Sequence, residues 1–372
     1  MVAMHMGLGM WIRGMRPRTL PLGLASVLAA SLIMIKPVLR GGLSDEWPDC
    51  PWIGGRTALS DGGTYRQCLT TPGWYVAVAL LCAGTAVFLQ IAANFANDYS
   101  DGVRGTDEGR VGIGSSGESA SRTAPARLVA SGVSPKCVLM AAGVHAALAC
   151  VCGLAVTVLT GHWWFIALGL ICLAAGWGYV GGRRPYGYHG WGEVSVFVFF
   201  GLVATCGTAY ALDGTVPFAV VWTAVAIGLL DVAVLCINNL RDLDEDGLHG
   251  KRTWMVRLGW RRGSTAASVL MTLPPLMLLV ALVMRRPWVA GSSSDAAVCD
   301  YARDGAVLRC VTATMWSRLG VFVAVVVLLV VSAMAVAVVR AIGSRAYRAA
   351  LPMCALCAPV LAIGFGSLTL FP

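Results

Sequence analysis

Nine apolar stretches, each about as long as the hydrocarbon core of a bilayer is thick, constrain the fold of this chain more than any other feature. A helix needs about 20 consecutive apolar residues to cross that core. The stretches cover residues 20–39, 73–96, 133–158, 162–181, 192–212, 215–239, 264–284, 315–340 and 349–371. Hydrophobic residues make up 57% of the chain and charged residues 13%, about half the share of soluble proteins. The sequence therefore predicts an all-α integral membrane protein, a bundle of about nine transmembrane helices.

We expect a single polytopic domain over residues 1–372, because lipid covers the apolar surface of each span. The net charge of +9 is compatible with a nucleic-acid partner, but most Lys and Arg residues lie in alternate connections between the spans. This distribution predicts a multi-pass protein with a cytoplasmic N-terminus, and no nucleic-acid partner. A signal peptide that includes Arg13, Arg16 and LASVLAAS is the alternative for the first span, and its removal would leave eight helices.

The 13 cysteines divide into two groups. Most lie in or beside the spans, where they commonly pack as small apolar side chains. Cys50, Cys68, Cys299 and Cys310 instead fall in two long loops predicted on the external face. An even number on an oxidising face permits disulfides, but the spacing leaves their pairing open.

Two clusters of acidic and amide residues follow apolar spans on the predicted cytoplasmic face. They lie in NFANDYSDGVRGTD (94–107) and NNLRDLDEDGLHGKRT (238–253). Helical spacing places the members of each cluster on one helix face: Asn94, Asn97, Asp98 and Asp101 in the first, and Asn238, Asn239, Asp242 and Asp246 in the second. A charged side chain at the centre of a helix in lipid costs about 2.5 to 3.5 kcal/mol. We therefore expect both clusters to line one wet, cytoplasm-facing cavity.

Converging carboxylates repel one another, by about 4 kcal/mol per pair at about 4 Å and an effective dielectric near 20. Divalent cations reverse the sign of this interaction, and Mg²⁺ is typically held by one or two carboxylates together with substrate phosphates. Basic residues suited to phosphate follow each cluster: Arg104, Arg127, Lys251 and Arg252. The two clusters therefore predict a site for a magnesium diphosphate, with ordinary solvated loop charges as the alternative.

The loop GGRRPYGYHGWGE (181–193) offers aromatic faces for a carbocation or an aromatic ring. An interfacial aromatic belt is an equal alternative for its Tyr and Trp residues. His189 could deprotonate a phenol, although a loop histidine bonded to the backbone is the favoured interpretation. Asp231 shares a helix face with Asp242, and whether it reaches the cavity or pairs with another helix stays open.

These motifs resemble the UbiA superfamily of intramembrane prenyltransferases. Together with RPRTLP (16–21) and ARLVASG (126–132), they resemble its 1,4-dihydroxy-2-naphthoate polyprenyltransferase branch, in order from residue 11 to about 262. The superfamily pattern NDxxDxxxD meets Gly at position 105, and the next acid, Asp107, has a spacing similar to the naphthoate branch. The Gly/Ser-rich segment 111–124 is longer than the family pattern.

The resemblance implies Mg²⁺-dependent transfer of a polyprenyl group from polyprenyl diphosphate to 1,4-dihydroxy-2-naphthoate, with loss of carbon dioxide, in the cytoplasmic membrane of a bacterium. It assigns Mg²⁺ to Asn94, Asn97, Asp98, Asp101, Asp107, Asn239, Asp242 and Asp246. It assigns diphosphate to Arg104, Arg127, Lys251 and Arg252, and makes Arg16 a candidate for either the diphosphate or the naphthoate carboxylate. For the aromatic substrate we therefore expect Arg16, together with Tyr186, Tyr188 and His189 of the aromatic loop. The residues expected to be catalytic are Asp98, Asp101, Asp242, Asp246 and Lys251.

Two alternatives to this function remain at this point. One is another aromatic acceptor within the same superfamily, such as 4-hydroxybenzoate. The other is an ion-coupled transporter, in which intramembrane acids bind ions. A transporter would place its acids near the bilayer midplane on broken helices, whereas these acids follow spans at one face beside basic loops.

Overall fold

The computed structural model describes residues 8–35, 72–104, 128–182, 184–284 and 306–370, and all regular structure in these ranges is helical. The helices are α1 (Leu8–Gly14), α2 (Leu20–Met34), α3 (Pro72–Val103), α4 (Pro135–Thr160), α5 (Phe165–Val180), α6 (Gly192–Asp213), α7 (Phe218–Arg241), α8 (Leu243–Leu248), α9 (Trp254–Val283), α10 (Ala306–Gly343) and α11 (Tyr347–Leu370). A 3₁₀ turn, Tyr186–His189, precedes α6. The predicted all-α membrane fold is confirmed.

Each predicted span corresponds to one helix in the described part of the chain. Seven helices, α3, α4, α6, α7, α9, α10 and α11, are long and apolar enough to cross a membrane. Two others, α2 and α5, are apolar but shorter. The count of about nine membrane crossings therefore stays a prediction.

The largest departure from the predicted boundaries is at α9, which begins at Trp254 instead of residue 264. Its start is capped, because Oγ1 of Thr253 accepts a hydrogen bond from the N–H of Val256 at 3.4 Å. The helix is then interrupted at Gly259, whose φ of 69° lies in the left-handed region that favours glycine. Residues 254–263, which the predicted spans left in the basic loop, therefore lie on a helix.

Helix α7 is central to the packing. Of its most apolar window, 72% is buried, whereas the figure for α4 is 17%. It packs against α6, α9 and α11, while α3 pairs with α4 at the periphery. The crossing of α6 and α7 is close enough that a Cβ on Gly201 would lie 2.4 Å from Cα of Gly228. Small residues permit such close helix approach in membranes.

Hydrogen bonds between helix ends show that several elements meet at one end of the bundle. Asn94 near the end of α3 contacts Met15 before α2, and Ser100 contacts Val180 at the end of α5. Glu193 at the start of α6 contacts the last turn of α7 and the first residue of α9. Both acid clusters therefore lie at the same end of the bundle.

Candidate active site

The first acid cluster occupies the last turns of α3. Asn94, Asp98 and Asp101 are all buried, on the helix face that their spacing predicted. Nδ2 of Asn94 donates to the backbone oxygen of Met15 at 2.9 Å. Oδ2 of Asp98 accepts from the backbone N–H of Leu128 at 2.7 Å. These bonds connect the cluster to the segments that lead into α2 and α4.

The second acid cluster does not lie on one continuous helix, and that expectation is wrong. Helix α7 ends at Arg241, and Asp242 adopts φ −96° and ψ 12° before α8 begins. The carboxylate of Asp242 accepts two hydrogen bonds, both 2.8 Å long, from Nε and Nη2 of Arg241. The backbone N–H of Asp242 donates to the backbone oxygen of Asn238, and that of Asp246 donates to the backbone oxygen of Asp242. These hydrogen bonds preserve near-helical spacing across the break. Asp246 consequently still points inward and is buried.

Lys251 joins the two clusters. Its Nζ lies 3.2 Å from Oδ1 of Asp101 and 3.2 Å from Oδ1 of Asp246. These two carboxylate oxygens are therefore no farther apart than twice that distance. The Lys251 side chain is 11% exposed, so its charge is largely removed from water and acts strongly on both carboxylates.

Tyr188 lies beside the contact between Lys251 and Asp101. Its hydroxyl donates to Oδ1 of Asp101. Nζ of Lys251 lies 4.7 Å and Cζ of Arg104 lies 5.2 Å from the centroid of its ring. Burial, then the charge of Asp101, raises the pKa of the Tyr188 hydroxyl. Burial also raises the pKa of Asp246, an effect that Lys251 opposes.

The donor atoms at this contact suit a hard divalent cation. In the part of the chain that the structure describes, no group of three or more His, Cys, Asp or Glu side chains could enclose a metal ion. Asp101 and Asp246 instead contribute one carboxylate each to a contact with the same cation, the Lys251 ammonium. Since Mg²⁺ is typically bound by one or two carboxylates plus phosphate oxygens and water, this pair fits Mg²⁺ that binds together with a diphosphate.

The sequence profile of the UbiA prenyltransferase family matches residues 68–303, more than half of the chain. The chain belongs to the UbiA prenyltransferase family. The resemblance identified from its acid-rich motifs is confirmed. A 1,4-dihydroxy-2-naphthoate octaprenyltransferase from Mycobacterium tuberculosis (strain ATCC 25618 / H37Rv) is 38% identical over 279 residues, which are 75% of this chain and 79% of that relative.

Two solved structures of UbiA homologs were found by comparison of the fold. The apo structure of a UbiA homolog from Aeropyrum pernix K1 has a TM-score of 0.50 and 14% sequence identity, covering 95% of this chain and 97% of that one. This likeness supports the helical fold of the prenyltransferase. A UbiA homolog from Archaeoglobus fulgidus, solved with DMAPP and Mg²⁺ bound, has a TM-score of 0.42 and 15% identity, covering 74% of this chain and 78% of that one.

Arg104 of the prenyltransferase binds the end of α5. Its Nη1 donates to the backbone oxygen of Val180 at 2.8 Å, and its Nη2 donates to that of Gly182 at 2.7 Å. Its Nη1 also bonds to Oγ of Ser100. Carbonyl groups at a helix C-terminus lack intrahelical donors, so these bonds cap α5. The assignment of Arg104 to diphosphate stays a prediction.

The aromatic turn of the prenyltransferase holds two of the predicted substrate residues in bonds to the protein. The Tyr186 hydroxyl donates to the backbone oxygen of Ala175 at 2.7 Å and lies 2.9 Å from Oγ of Ser195. Nδ1–H of His189 donates to the backbone oxygen of Pro185 at 2.9 Å, as expected of a backbone-bonded loop histidine. The roles of Tyr186 and His189 toward an aromatic substrate stay predictions.

Other predicted site residues lie around this centre. The Arg252 side chain is exposed, and the backbone N–H of Arg252 donates to the backbone oxygen of Tyr188 at 2.7 Å. Arg16 and Asn97 are half-buried, and Arg16 has a φ of 53° in the turn that leads into α2. Asn239 donates from Nδ2 to Glu193 at 3.2 Å. The predicted roles of Asp107 and Arg127, and of Cys50, Cys68 and Cys299, fall outside the described residues. Cys310 lies in the first turns of α10 and not in a loop, and its side chain is also outside the described part.

The sequence-based prediction missed two residues that organise this end of the prenyltransferase. Nε2 of Gln90 donates to the backbone oxygen of Thr19 at 2.7 Å, which fixes the turn that contains Arg16. The sequence feature that could have identified Gln90 is an amide inside an apolar stretch, one helical turn before Asn94. Glu193 is 1% exposed and bonds to two separate helices. The sequence feature that could have identified Glu193 is a lone carboxylate at the start of an apolar span.

Proposed function

We propose that this protein transfers a polyprenyl group from polyprenyl diphosphate to 1,4-dihydroxy-2-naphthoate, with release of diphosphate and carbon dioxide, to form demethylmenaquinol, the hydroquinone form of demethylmenaquinone. The observation that carries the proposal is the position of Lys251 between Asp101 and Asp246. It places two carboxylates and one strong phosphate-binding cation in a single contact. The carboxylates can bind the metal ion and the lysine can bind the phosphate oxygens, so together they suit a metal diphosphate better than either would alone.

The residues of the site would act on the diphosphate in complementary ways. Carboxylate oxygens of Asp101 and Asp246 would hold Mg²⁺ together with the diphosphate. Asp98 and Asp242, with the amide oxygens of Asn94, Asn97 and Asn239, stay predicted further ligands. When bound there, Mg²⁺ would supply positive charge against the oxygens of the departing diphosphate. Lys251 would move from its carboxylate partners toward those oxygens as a point charge. Stabilisation of developing negative charge is then the main source of catalysis.

The bond that breaks joins the allylic carbon of the prenyl chain to the diphosphate oxygen. The naphthoate ring carbon that carries the carboxylate attacks the allylic cation, and this carboxylate leaves as carbon dioxide. Tyr188 would keep Asp101 oriented through its hydroxyl while its ring lies beside Lys251. The prenyl tail would leave between helices into lipid, so the reaction needs no aqueous path for it.

The naphthoate acceptor is supported by the 38% identity to a 1,4-dihydroxy-2-naphthoate octaprenyltransferase over three quarters of this chain. We further propose that the protein lies in the cytoplasmic membrane of a bacterium with this end of the bundle in the cytoplasm. The basic residues of the connections at this end, among them Lys251 and Arg252, support that orientation.

An acceptor-resolved assay tests the proposal. Membranes containing the protein receive Mg²⁺, a polyprenyl diphosphate and carboxyl-labelled 1,4-dihydroxy-2-naphthoate, and the release of diphosphate and labelled carbon dioxide is measured. We expect both products in equal amounts, and neither from membranes containing the Asp101→Asn variant. Consumption of 4-hydroxybenzoate in place of the naphthoate would show that the acceptor is wrong.

A further inference from the structure

Glu193 is a buried carboxylate that connects three helices. It is 1% exposed, on the first turn of α6 directly after the aromatic turn. Its Oε1 accepts a hydrogen bond from Nδ2 of Asn239 at 3.2 Å and another from the backbone N–H of Trp254 at 3.2 Å. A buried carboxylate is costly unless its environment supplies such donors, so its position is strongly constrained.

These two donors lie at the two ends of one functional segment. Asn239 is in the last turn of α7, and Trp254 is the first residue of α9. Between them lie Asp242, Asp246 and Lys251. One carboxylate oxygen thus fixes both ends of the segment that carries the second acid cluster and the phosphate-binding lysine.

The same bond decides which way the Asn239 side chain points. An amide can bind a metal ion only through its oxygen, and the oxygen and nitrogen of an Asn side chain are assigned from their hydrogen-bond partners. Oε1 of Glu193 accepts the N–H of Trp254, and this oxygen is an acceptor toward Asn239 as well. Glu193 therefore selects the orientation in which Nδ2 of Asn239 faces it and Oδ1 faces away.

We propose that Glu193 is a positioning residue that presents the Asn239 oxygen to the metal and sets the segment 240–253 against the first acid cluster. This inference rests on the proposed function and deepens it. Partners of this kind behind a metal ligand typically change metal affinity or activity by about 10- to 100-fold when removed. The effect acts through Asn239 and requires no contact between Glu193 and the substrate.

The first experiment measures metal binding without turnover. Mn²⁺ is titrated into purified protein with inorganic pyrophosphate, and free Mn²⁺ is followed by electron paramagnetic resonance. We expect Glu193→Ala to weaken Mn²⁺ binding by about 10- to 100-fold, and Glu193→Gln, whose amide oxygen still accepts both bonds, to restore most of it. Asp244→Ala removes an exposed acid of the same segment and is the matched control, expected to bind as the unaltered protein does. Unchanged binding in Glu193→Ala, or equal loss in Glu193→Gln, would overturn the proposal.

A second experiment uses near-isosteric variants, which keeps the test valid if Glu193→Ala is not recovered from membranes. Asn239→Asp places two carboxylates against each other and should weaken Mn²⁺ binding. Adding Glu193→Gln gives a side chain that can donate to Asp at 239 while still accepting from Trp254. We expect the double variant to bind Mn²⁺ more tightly than Asn239→Asp alone, and absence of this rescue contradicts the proposal.

The two proposals fail separately. If the unaltered protein does not use 1,4-dihydroxy-2-naphthoate but Glu193→Ala weakens Mn²⁺ binding, the acceptor is wrong and the role of Glu193 stands. If turnover is as proposed and the Mg²⁺ concentration for half-maximal activity is the same in Glu193→Ala, the role of Glu193 is wrong and the function stands.

Discussion

The ammonium group of Lys251 lies 3.2 Å from Oδ1 of Asp101, although the two residues belong to different acid-rich motifs. The contact is more than a surface ion pair, because the Lys251 side chain is 11% and that of Asp101 7% exposed. Both charges have lost most of their hydration, so each depends on the other and on Asp246. A bound metal diphosphate can replace these partners, since the metal takes the carboxylates and the phosphate oxygens take the lysine.

Lys251→Met should therefore remove a phosphate partner and the cation that Asp101 and Asp246 share. We expect kcat/KM for polyprenyl diphosphate to fall by about 10²- to 10³-fold, the usual loss for one strong electrostatic contact to developing charge. Steady-state release of diphosphate measures this value. Lys136→Met, which removes an exposed lysine at the start of α4, is the control and should retain the activity of the unaltered protein.

Removal of divalent metal should stop the reaction. Chelation with EDTA is expected to abolish diphosphate release, and excess Mg²⁺ to restore it, because the carboxylates can hold the substrate only through a cation. Asp98→Ala and Asp242→Ala should abolish turnover while the protein stays in the membrane, as judged by immunoblotting of membrane fractions. Activity that persists in EDTA, or in both variants, contradicts the metal-diphosphate site.

The arrangement of the first acid cluster could be predicted because helical spacing is a local property. Asn94, Asp98 and Asp101 follow a long apolar run without a helix breaker, so their shared face was readable directly from sequence. The same argument failed at Asp242. There the neighbouring Arg241 takes both carboxylate oxygens and the chain leaves helical geometry, and spacing carries no information on such a contact.

The sequence motifs could not predict contacts between distant segments of the chain. Arg104 and Lys251 are similar cations that each follow an acid cluster, and the sequence assigned both to diphosphate. In the structure, Lys251 lies between carboxylates, whereas Arg104 bonds to backbone carbonyls at the end of α5. Only the position of α5 separates these roles, and it results from packing of the whole bundle.

Arg104→Ala consequently tests a contribution to stability. Loss of charge-assisted bonds to Val180 and Gly182 should lower the free energy of unfolding by about 1 to 3 kcal/mol. Thermal unfolding in detergent, followed by intrinsic fluorescence, measures the shift. Arg184→Ala, at an exposed arginine of the connection that Arg104 contacts, should unfold as the unaltered protein does. An unchanged midpoint for Arg104→Ala together with a raised KM for polyprenyl diphosphate would favour the original diphosphate assignment.

Tyr188 combines two contacts that substitution can separate. Tyr188→Phe removes the hydroxyl that donates to Asp101 but keeps the ring beside Lys251 and Arg104. Since a hydrogen bond to a charged group contributes about 1.5 to 3 kcal/mol, we expect kcat/KM to fall by about 10- to 100-fold. Tyr188→Ala removes the ring as well and should be less active than Tyr188→Phe. Equal activity of the two variants would show that the ring contributes nothing.

The close crossing of α6 and α7 predicts a stability effect outside the two acid clusters. Gly201→Ala places a Cβ 2.4 Å from Cα of Gly228, so the two helices must separate. Overpacking of this kind costs about 1 to 3 kcal/mol. Gly207→Ala in the same helix is the matched control, because nothing lies within 4 Å of a Cβ built there. Alanine also favours helix over glycine, so Gly207→Ala should unfold at the same or a higher temperature, and Gly201→Ala at a lower one. If both variants unfold at the same temperature, the two helices do not approach as closely as described.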